Sequence, residues 1–261
     1  MAEGKAKRMW ALPGAEFTAN AATMMHGGSL ETFQMPVPCY LIEHPKGLVL
    51  FDTGCSPQMI DNFNEYLGEF AAAIKLKFSR DLIVDAQIRA LGYKTEDVKY
   101  VVASHLHLDH AGGLYLFPKA RFLVMANELA YAWWPIPEHR LIFKVQDLLP
   151  TRQFNWLELD GDFDLFGDGS IQMLKTPGHT PGECSLFVRL PNRKVVLTGD
   201  TTHLRAALEG EITMPGDVDP AAAVLSLRRL KAIRDFHEAS LIISHDPEDW
   251  AEFPHAPAAI E

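Results

Sequence analysis

The chain has 261 residues, of which 48% are hydrophobic, so it is long enough to bury a large α/β core. Its formal net charge of -10 argues against a nucleic-acid groove or an anionic membrane surface as the binding partner, since both would need clustered Lys and Arg. The three cysteines lack a disulfide framework, no apolar run approaches ~20 residues, and the start MAEGKAKRMWALPG lacks a signal peptide. We therefore expect a cytoplasmic protein that acts on a small, uncharged molecule.

The first half of the chain predicts a hairpin, a helix and a further strand. The stretch CYLIEHPKGLVLFDTG reads as two β-rich runs around a His-Pro-Lys-Gly turn, and the second run ends at Asp52. The stretch DAQIRALGY then predicts a helix. After it, KYVVASH predicts a buried strand that ends at His105.

The second half repeats this plan. The stretch CSLFVRLPNRKVVLTGD predicts a hairpin around Pro-Asn-Arg-Lys that ends at Asp200. The stretch DPAAAVLSLRRLKAIRDF predicts a long helix with Asp219 as its N-cap and Pro220 in its first turn. The strand SLIISH follows and ends at His245.

This loose duplication predicts the architecture. Residues 1–261 are expected to form a single domain of two pseudo-repeated halves, roughly 35–125 and 155–250. Each half offers an Asp and a His at the ends of buried strands, which is where α/β proteins tend to place their chemistry. Strands that precede helices in both halves predict an α/β fold in four layers, an αββα sandwich with two facing sheets and helices outside.

The stretch SHLHLDHAGG, residues 104 to 113, concentrates metal-binding side chains. If residues 100 to 107 are extended, the two-residue period places His105 and His107 on the same side, where both can bind one metal ion. The chain then turns at DHAGG, where paired glycines permit close backbone approach, so Asp109 and His110 can reach a second position. The spacing therefore predicts two metal ions.

Three further candidate ligands follow along the chain. His179 lies in the loop TPGHTPG, which combines stiff prolines with permissive glycines and so presents a side chain. Asp200 follows a β-rich run and can bridge two ions with its two carboxylate oxygens, and His245 would complete the second site. Each residue alone is a weak signal, more typical of a cap, a turn or a strand end. In this order after the first motif, they form a strong one.

With these residues the sequence resembles the metallo-β-lactamase superfamily, whose signature is a His-x-His-x-Asp-His run followed by a loop His, a strand-end Asp and a final His. The resemblance extends from Phe51–Gly54 to Ser244–Asp246. It implies that one ion is bound by His105, His107 and His179. The other ion is bound by Asp109, His110 and His245, and Asp200 bridges the two ions.

Asp52 has no place among these ligands, so it is predicted to orient the turn below the metals. Zn²⁺ is the expected metal because imidazole and carboxylate ligands suit it, although the same ligands accept iron, cobalt or manganese.

Within the superfamily the chain looks like the N-acyl-homoserine lactonase group and related small-lactone hydrolases. The stretches PVPCYLIEHPKGLVLFDTG and SPQMIDNFNEYLGEF carry this likeness, together with the short tail after SHD. The likeness implies a dinuclear enzyme that opens a lactone ring by attack of a hydroxide held between the metals. Asp109 would carry the proton.

Other members of the superfamily match less well. Class B β-lactamases typically have Arg in place of His110 and Cys in place of Asp200. Hydroxyacylglutathione hydrolases share the ligand set but end in a basic extension, whereas the acidic stretch DPEDWAEFPHAPAAIE follows His245. That thioester hydrolase and another small-lactone hydrolase are the alternatives. An iron-dependent sulfur dioxygenase and an inactive binding protein represent different classes on the same fold.

Two apolar stretches are candidates for the lining of an acyl-chain site. They are Met24–Met25 and YAWWPIP at Tyr131–Pro137. A core cluster or a homodimer interface explains each of them equally well, because Trp and Met are common in both.

His203 departs from the lactonase pattern. Three residues after the bridging Asp, that group commonly has a Tyr whose hydroxyl meets the substrate carbonyl or the leaving group. An imidazole can donate an N–H instead, so His203 is predicted to take over this role. The alternative is an exposed His in DTTHLRAALEG that contacts nothing.

Overall fold

The computed structural model describes residues 4–261. Within them, the strands are β1 (Arg8–Asn20), β2 (Thr32–His44), β3 (Gly47–Phe51), β4 (Leu76–Lys77), β5 (Val98–Val102), β6 (Arg121–Met125), β7 (Asn155–Leu159), β8 (Phe163–Asp164), β9 (Ile171–Lys175), β10 (Cys184–Arg189), β11 (Lys194–Leu197) and β12 (Ser240–Ile242). They form a seven-stranded sheet in the order β4-β1-β2-β3-β5-β6-β7 and a five-stranded sheet in the order β12-β11-β10-β9-β8.

The helices lie between and after these strands. They are α1 (Ala21–Met24), α2 (Gln58–Asp61), α3 (Phe63–Leu67), α4 (Val84–Ala90), α5 (Glu128–Trp133), α6 (Val145–Leu148), α7 (Arg205–Gly210), α8 (Pro220–His237) and α9 (Pro247–Glu252). Short 3₁₀ helices cover Gly68–Ala72, Arg80–Leu82, Thr95–Asp97, Leu114–Leu116, Pro137–His139 and Leu149–Thr151. No helix within residues 4–261 combines the length and the apolar character that crossing a membrane requires.

The alternation of side chains along the strands separates the layers. In β3, Leu48 and Leu50 belong to a buried cluster that includes Ile88 of α4, on the outer face of the first sheet. Val49 and Phe51 point the other way, into a cluster shared with strands of the second sheet. The two sheets therefore face each other across a common apolar core.

Helix α8 covers the outer face of the second sheet. Its Leu227 and Leu230 are buried in one cluster with Val196 of β11. The Asp219 side chain caps this helix by accepting a hydrogen bond from Ala222 N at 3.0 Å, and Pro220 occupies its first turn, as predicted. Helices outside and two sheets inside make the predicted four-layer αββα sandwich.

The two predicted hairpins are confirmed, and each leads into a parallel strand pair. β2 pairs antiparallel with β3, which runs parallel to β5; β10 pairs antiparallel with β11, which runs parallel to β12. Since the carboxyl ends of parallel strands meet at one edge, the loops that follow these strands lie close together.

The three cysteines, Cys39, Cys55 and Cys184, are buried and free, in agreement with the prediction of no structural disulfides.

A buried carboxyl joins α3 to α6. Asp147 is 1% exposed and accepts a hydrogen bond from the Tyr66 hydroxyl. Lys144 donates to Leu67 O at 3.3 Å, and its ammonium lies 5.6 Å from the centre of the Tyr66 ring. Burial raises the pKa of Asp147 to about 7, although hydrogen bonds from Tyr66 and Ser56 and the charge of Lys144 lower it. The fold therefore favours the neutral form of this side chain.

The substitution Asp147→Asn tests the cost of ionising this carboxyl. An Asp in an unfolded chain has a pKa near ~3.9, so the wild type loses stability as the pH rises through the folded-state pKa of about 7. We expect the stability gained by Asp147→Asn to be larger at pH 9 than at pH 5, by roughly 2–3 kcal/mol. The reason is that the wild type loses stability over the roughly two pH units between pH 5 and the folded-state pKa, and little more above it. Urea unfolding at both pH values measures the difference.

The control is Glu65→Gln, at an exposed position of the same helix α3. It should change the free energy of unfolding by the same amount at both pH values. An equal effect of Asp147→Asn at pH 5 and pH 9 would contradict the prediction.

Candidate metal centre

The predicted ligands lie in loops after the parallel strands. The strands predicted to end at His105 and His245 are shorter, because β5 ends at Val102 and β12 ends at Ile242, so β5 does not continue to residue 107. Beyond it, Ser104 N donates to Asp52 Oδ1 at 2.7 Å and Leu106 N donates to Glu128 Oε1 at 3.0 Å. These backbone groups are satisfied by buried carboxylates instead of a neighbouring strand, so the loop can turn its side chains inward.

The first ligand group is formed by three buried imidazoles. His105 Nε2 and His179 Nε2 each lie 3.0 Å from His107 Nδ1. The loop His179 thus reaches the two motif histidines from the second half of the chain. Three ring nitrogens that meet at one point offer the donors of a metal site.

The second group lies beside the first. His110 Nε2 and His245 Nε2 are 3.2 Å apart, and Asp109 Oδ2 lies 3.9 Å and 3.8 Å from them, respectively. The glycines of the motif support this arrangement, because a Cβ on Gly112 would lie only 2.1 Å from Ser56 N. The ligand loop therefore packs directly on the segment after β3.

Asp200 lies between the two groups. Its Oδ2 is 3.7 Å from His105 Nε2 and 3.6 Å from His179 Nε2. Its Oδ1 is 3.2 Å from His110 Nε2 and 3.0 Å from His245 Nε2. Each carboxylate oxygen thus faces one ligand group, which is the arrangement that a bridging ligand requires.

The outer ring nitrogens of four histidines contact oxygen atoms. His110 Nδ1 lies 2.9 Å from Asp52 Oδ2, His179 Nδ1 lies 3.3 Å from Asp217 Oδ1, and His245 Nδ1 lies 2.7 Å from Pro36 O. For His105, the hydrogen-bond partner of Nδ1 is Ser104 Oγ at 3.0 Å, and Glu183 Oε2 lies at the same distance without forming a hydrogen bond. Such contacts hold the proton on Nδ1 and leave Nε2 free to bind a metal.

Asp52 thus lies where the sequence predicted, behind the ligands. Sequence reasoning missed Glu128, Glu183 and Asp217. For Glu183, the one signal was a charged residue immediately before the apolar run CSLFV, while Glu128 and Asp217 carried no signal.

Burial favours the neutral form of two histidines in the first group. It lowers the pKa of His105 and of His107 well below the usual value, and neighbouring imidazoles lower it further. For Asp200, burial raises the pKa, but the surrounding histidines, His110 first, hold it well below its ordinary range. Neutral imidazoles and an ionised carboxylate are the forms that bind metals.

The donor set fits divalent metal ions. Asp200 Oδ1 and His107 Nε2 are buried and have no hydrogen-bond partner within the described residues. For Asp200 this leaves an oxygen lone pair at the junction of the two groups. Imidazole nitrogens and carboxylate oxygens in this mixture suit zinc and similar transition metals.

His203 is buried beside Asp200. Its Nε2 lies 2.9 Å from Asp200 Oδ2, and its ring stacks on that of His245 with the ring centres 5.5 Å apart. The alternative of an exposed histidine that contacts nothing is therefore wrong. His203 also borders the cavity above the ligand groups.

A cavity of about 630 Å³ opens over the ligands. Met24 and Ile136 line it, so each of the two predicted apolar stretches contributes one side chain. Trp134 instead is 85% exposed, at the protein surface. Most of the wall comes from residues that the sequence did not single out: Phe17, Ala19, Met35, Phe70, Ala73, Ile74, Leu108, Ile142 and Met214.

Comparison with known proteins agrees with this geometry. The model of the metallo-beta-lactamase superfamily matches residues 33–245. The N-acyl homoserine lactonase AttM of Rhizobium radiobacter is 36% identical over 239 residues, which cover 89% of this chain and 90% of the relative. The N-acyl homoserine lactonase AiiA of Bacillus thuringiensis subsp. kurstaki is 32% identical over 217 residues, 82% of each chain.

Solved structures resemble the whole chain. An N-acyl homoserine lactone hydrolase with the product N-hexanoyl-L-homoserine bound at its catalytic metal centre superposes with a TM-score of 0.87, at 25% identity, over 98% of this chain and 100% of that one. A variant of AiiA from B. thuringiensis with N-decanoyl-L-homoserine at its active site has the same TM-score, identity and coverage. The chain therefore belongs to the metallo-beta-lactamase superfamily and, within it, to the group of the N-acyl homoserine lactonases.

Proposed function

We propose that this protein is a metal-dependent hydrolase that opens the lactone ring of N-acyl homoserine lactones. The observation that carries the proposal is the position of Asp200, whose two oxygens face two separate ligand groups at the base of an apolar cavity. The relatives support it, since AttM and AiiA are N-acyl homoserine lactonases and a solved neighbour holds a ring-opened product at its metal centre.

Two ions are proposed, held by the residues that the sequence singled out. One ion would be held by His105, His107 and His179. The other would be held by Asp109, His110 and His245, and Asp200 would contact both ions. When bound, two such ions supply a hydroxide nucleophile near neutral pH and a Lewis acid for the lactone carbonyl. Zinc is our proposed metal because the donors are imidazoles and carboxylates.

Asp109 is the proposed proton carrier. Its Oδ2 belongs to the second ligand group, and the residue also lines the cavity. One carboxylate can therefore reach both the ligand cluster and a substrate placed above it. In this position it can accept the proton of the attacking hydroxide once the new C–O bond has formed, and give it to the leaving alkoxide as the ring C–O bond breaks.

His203 is the proposed hydrogen-bond donor to the substrate. It borders the cavity, and its Nε2 lies 2.9 Å from Asp200 Oδ2, so in the proposed role its N–H turns from this carboxylate to the substrate. A donor in this place can stabilise the oxyanion that develops at the lactone carbonyl.

The apolar wall fits the acyl chain of the substrate. Phe17, Met35, Phe70 and Ile74 all line the cavity that holds the ligand groups at its base. Burial of a hydrocarbon chain there would be favourable, while the polar lactone ring stays at the ligands.

We also infer that residues 1–261 act as one domain. The proposed ligands come from both halves, roughly 35–125 and 155–250, so neither half would bind both ions alone.

Replacing His107 tests the ligand assignment. We expect His107→Ala to lower the metal content from about two ions per chain to about one or fewer, and to abolish lactone hydrolysis. Metal analysis and a hydrolysis assay on the same preparation measure both quantities. The control is His44→Ala, which removes a buried histidine that stacks on Phe166. Unchanged metal content in His107→Ala would disprove the assignment.

A substrate comparison separates the lactonase from the thioester hydrolase. We expect kcat/KM for an N-acyl homoserine lactone to exceed that for S-lactoylglutathione by roughly tenfold or more, because an apolar cavity gains from an acyl chain and gives no matching site for charged glutathione. Both substrates are assayed under one metal condition. A preference for the thioester would place the protein with the hydroxyacylglutathione hydrolases.

Two variants of His203 test its role as a donor. At matched metal occupancy, His203→Ala should lower kcat by about 10²-fold, the lower end of what loss of an oxyanion donor costs, because the metals still stabilise the oxygens. His203→Tyr should restore part of this loss, since its hydroxyl can also donate. Steady-state kinetics across pH measure both. Wild-type kcat and KM in His203→Ala would show that His203 takes no part in the reaction.

A further inference from the structure

Glu183 contacts two of the proposed ligands at once. It is fully buried in the loop before β10. One carboxylate oxygen, Oε1, accepts a hydrogen bond from Asp200 N at 2.9 Å. The other, Oε2, lies 3.0 Å from His105 Nδ1 but is not aligned for a hydrogen bond, so this buried oxygen has no hydrogen-bond partner within the described residues. One side chain from the second half of the chain thus meets a ligand of each half.

The partners of this carboxylate do not neutralise it. They are a ring nitrogen and a backbone N–H rather than a Lys or Arg side chain. A buried carboxyl of this kind is costly unless positive charge compensates it, and two divalent cations at the adjacent ligand groups would do so.

Gly199 leaves the space that Glu183 fills. It adopts a left-handed conformation with φ of 56°, and a Cβ at this position would lie 2.4 Å from Glu183 Oε1 and 2.9 Å from Ser104 Cβ. The turn before Asp200 is therefore shaped to bring its backbone against this carboxylate.

We propose that Glu183 is a positioning residue of the metal centre, which fixes the ring of His105 and the backbone of Asp200 together. Its carboxylate favours the His105 tautomer that carries the proton on Nδ1, and this tautomer leaves the Nε2 lone pair free for the ion. Ser104 Oγ shares this task at Nδ1, since its own hydrogen goes to Asp52 Oδ2 at 2.9 Å. The inference rests on the ligand set given under the proposed function.

The substitution Glu183→Gln separates the two contacts. Its amide oxygen can accept from Asp200 N, but its NH₂ group then faces His105 Nδ1, where a donor opposes the tautomer that binds metal. We expect the zinc affinity of the variant to fall by about tenfold, the lower end of the 10–100-fold range for such outer contacts, because Ser104 remains. Competition of metal-free protein with a chromophoric chelator measures the affinity. The visible spectrum of the cobalt-loaded variant should also change.

Two further variants define the control. Asp147→Asn removes another buried carboxyl, whose hydrogen bond comes from Tyr66 rather than from a ligand or a ligand loop. The zinc affinity of this variant should stay within about twofold of wild type. Glu183→Asp keeps the charge but is too short to reach both partners, so its zinc affinity should lie between those of Glu183→Gln and wild type.

The wild-type protein supplies a test that needs no variant. In the zinc-loaded protein, the imidazole ¹H–¹⁵N spectrum should show a proton on His105 Nδ1 that exchanges slowly with water. A bare Nδ1, or a Glu183→Gln variant that binds zinc as tightly as wild type, would overturn the proposal. The affinity ratio is independent of the substrate, so a protein that binds zinc but hydrolyses no lactone would disprove the proposed function alone.

Discussion

The arrangement of the site depends on one carboxylate. Asp200 follows a strand of the second sheet, yet its two oxygens meet imidazoles that come from loops of both sheets. This is achieved because β3 and β5 in one sheet, and β11 and β12 in the other, are parallel pairs that end at the same edge. The facing of the two sheets across their shared apolar core then brings loops of both sheets together in each ligand group.

Buried acidic groups replace strand pairing around this carboxylate. Asp52 and Glu128 accept backbone N–H groups of the ligand loop, and Glu128 also accepts from Thr180 and Gly182 beside His179. The loops can therefore leave the sheet without unsatisfied backbone groups, which would otherwise be costly in a buried region. The same side chains that shape the loops add negative charge behind the ligands, where cations would benefit from it.

The sequence predicted much of the fold, since each hairpin and the long helix α8 rest on local patterns and on a cap that involves neighbouring residues. It also singled out the seven ligand candidates, because their spacing is unusual in a chain of this kind. The end of β5 at Val102 was missed, since it depends on carboxylates of Asp52 and Glu128 that are distant along the chain. The role of Glu183 and the cavity wall were missed for the same reason: no local pattern records which side chains meet across two sheets.

The paired glycines at the end of the ligand motif have a consequence for how such sequences diverge. Gly112 has no room for a side chain against the backbone of Ser56, and the equivalent atom on Gly113 would lie 2.6 Å from Thr53 O. These two glycines are therefore constrained by the lack of space for a side chain, while the histidines and aspartates are constrained by metal binding. In a descendant that no longer binds metals, the histidines and aspartates would be free to change, but the glycines would still be required by the packing of the loop. The paired glycines would therefore be retained longer than the ligands and would indicate the descent of such a protein.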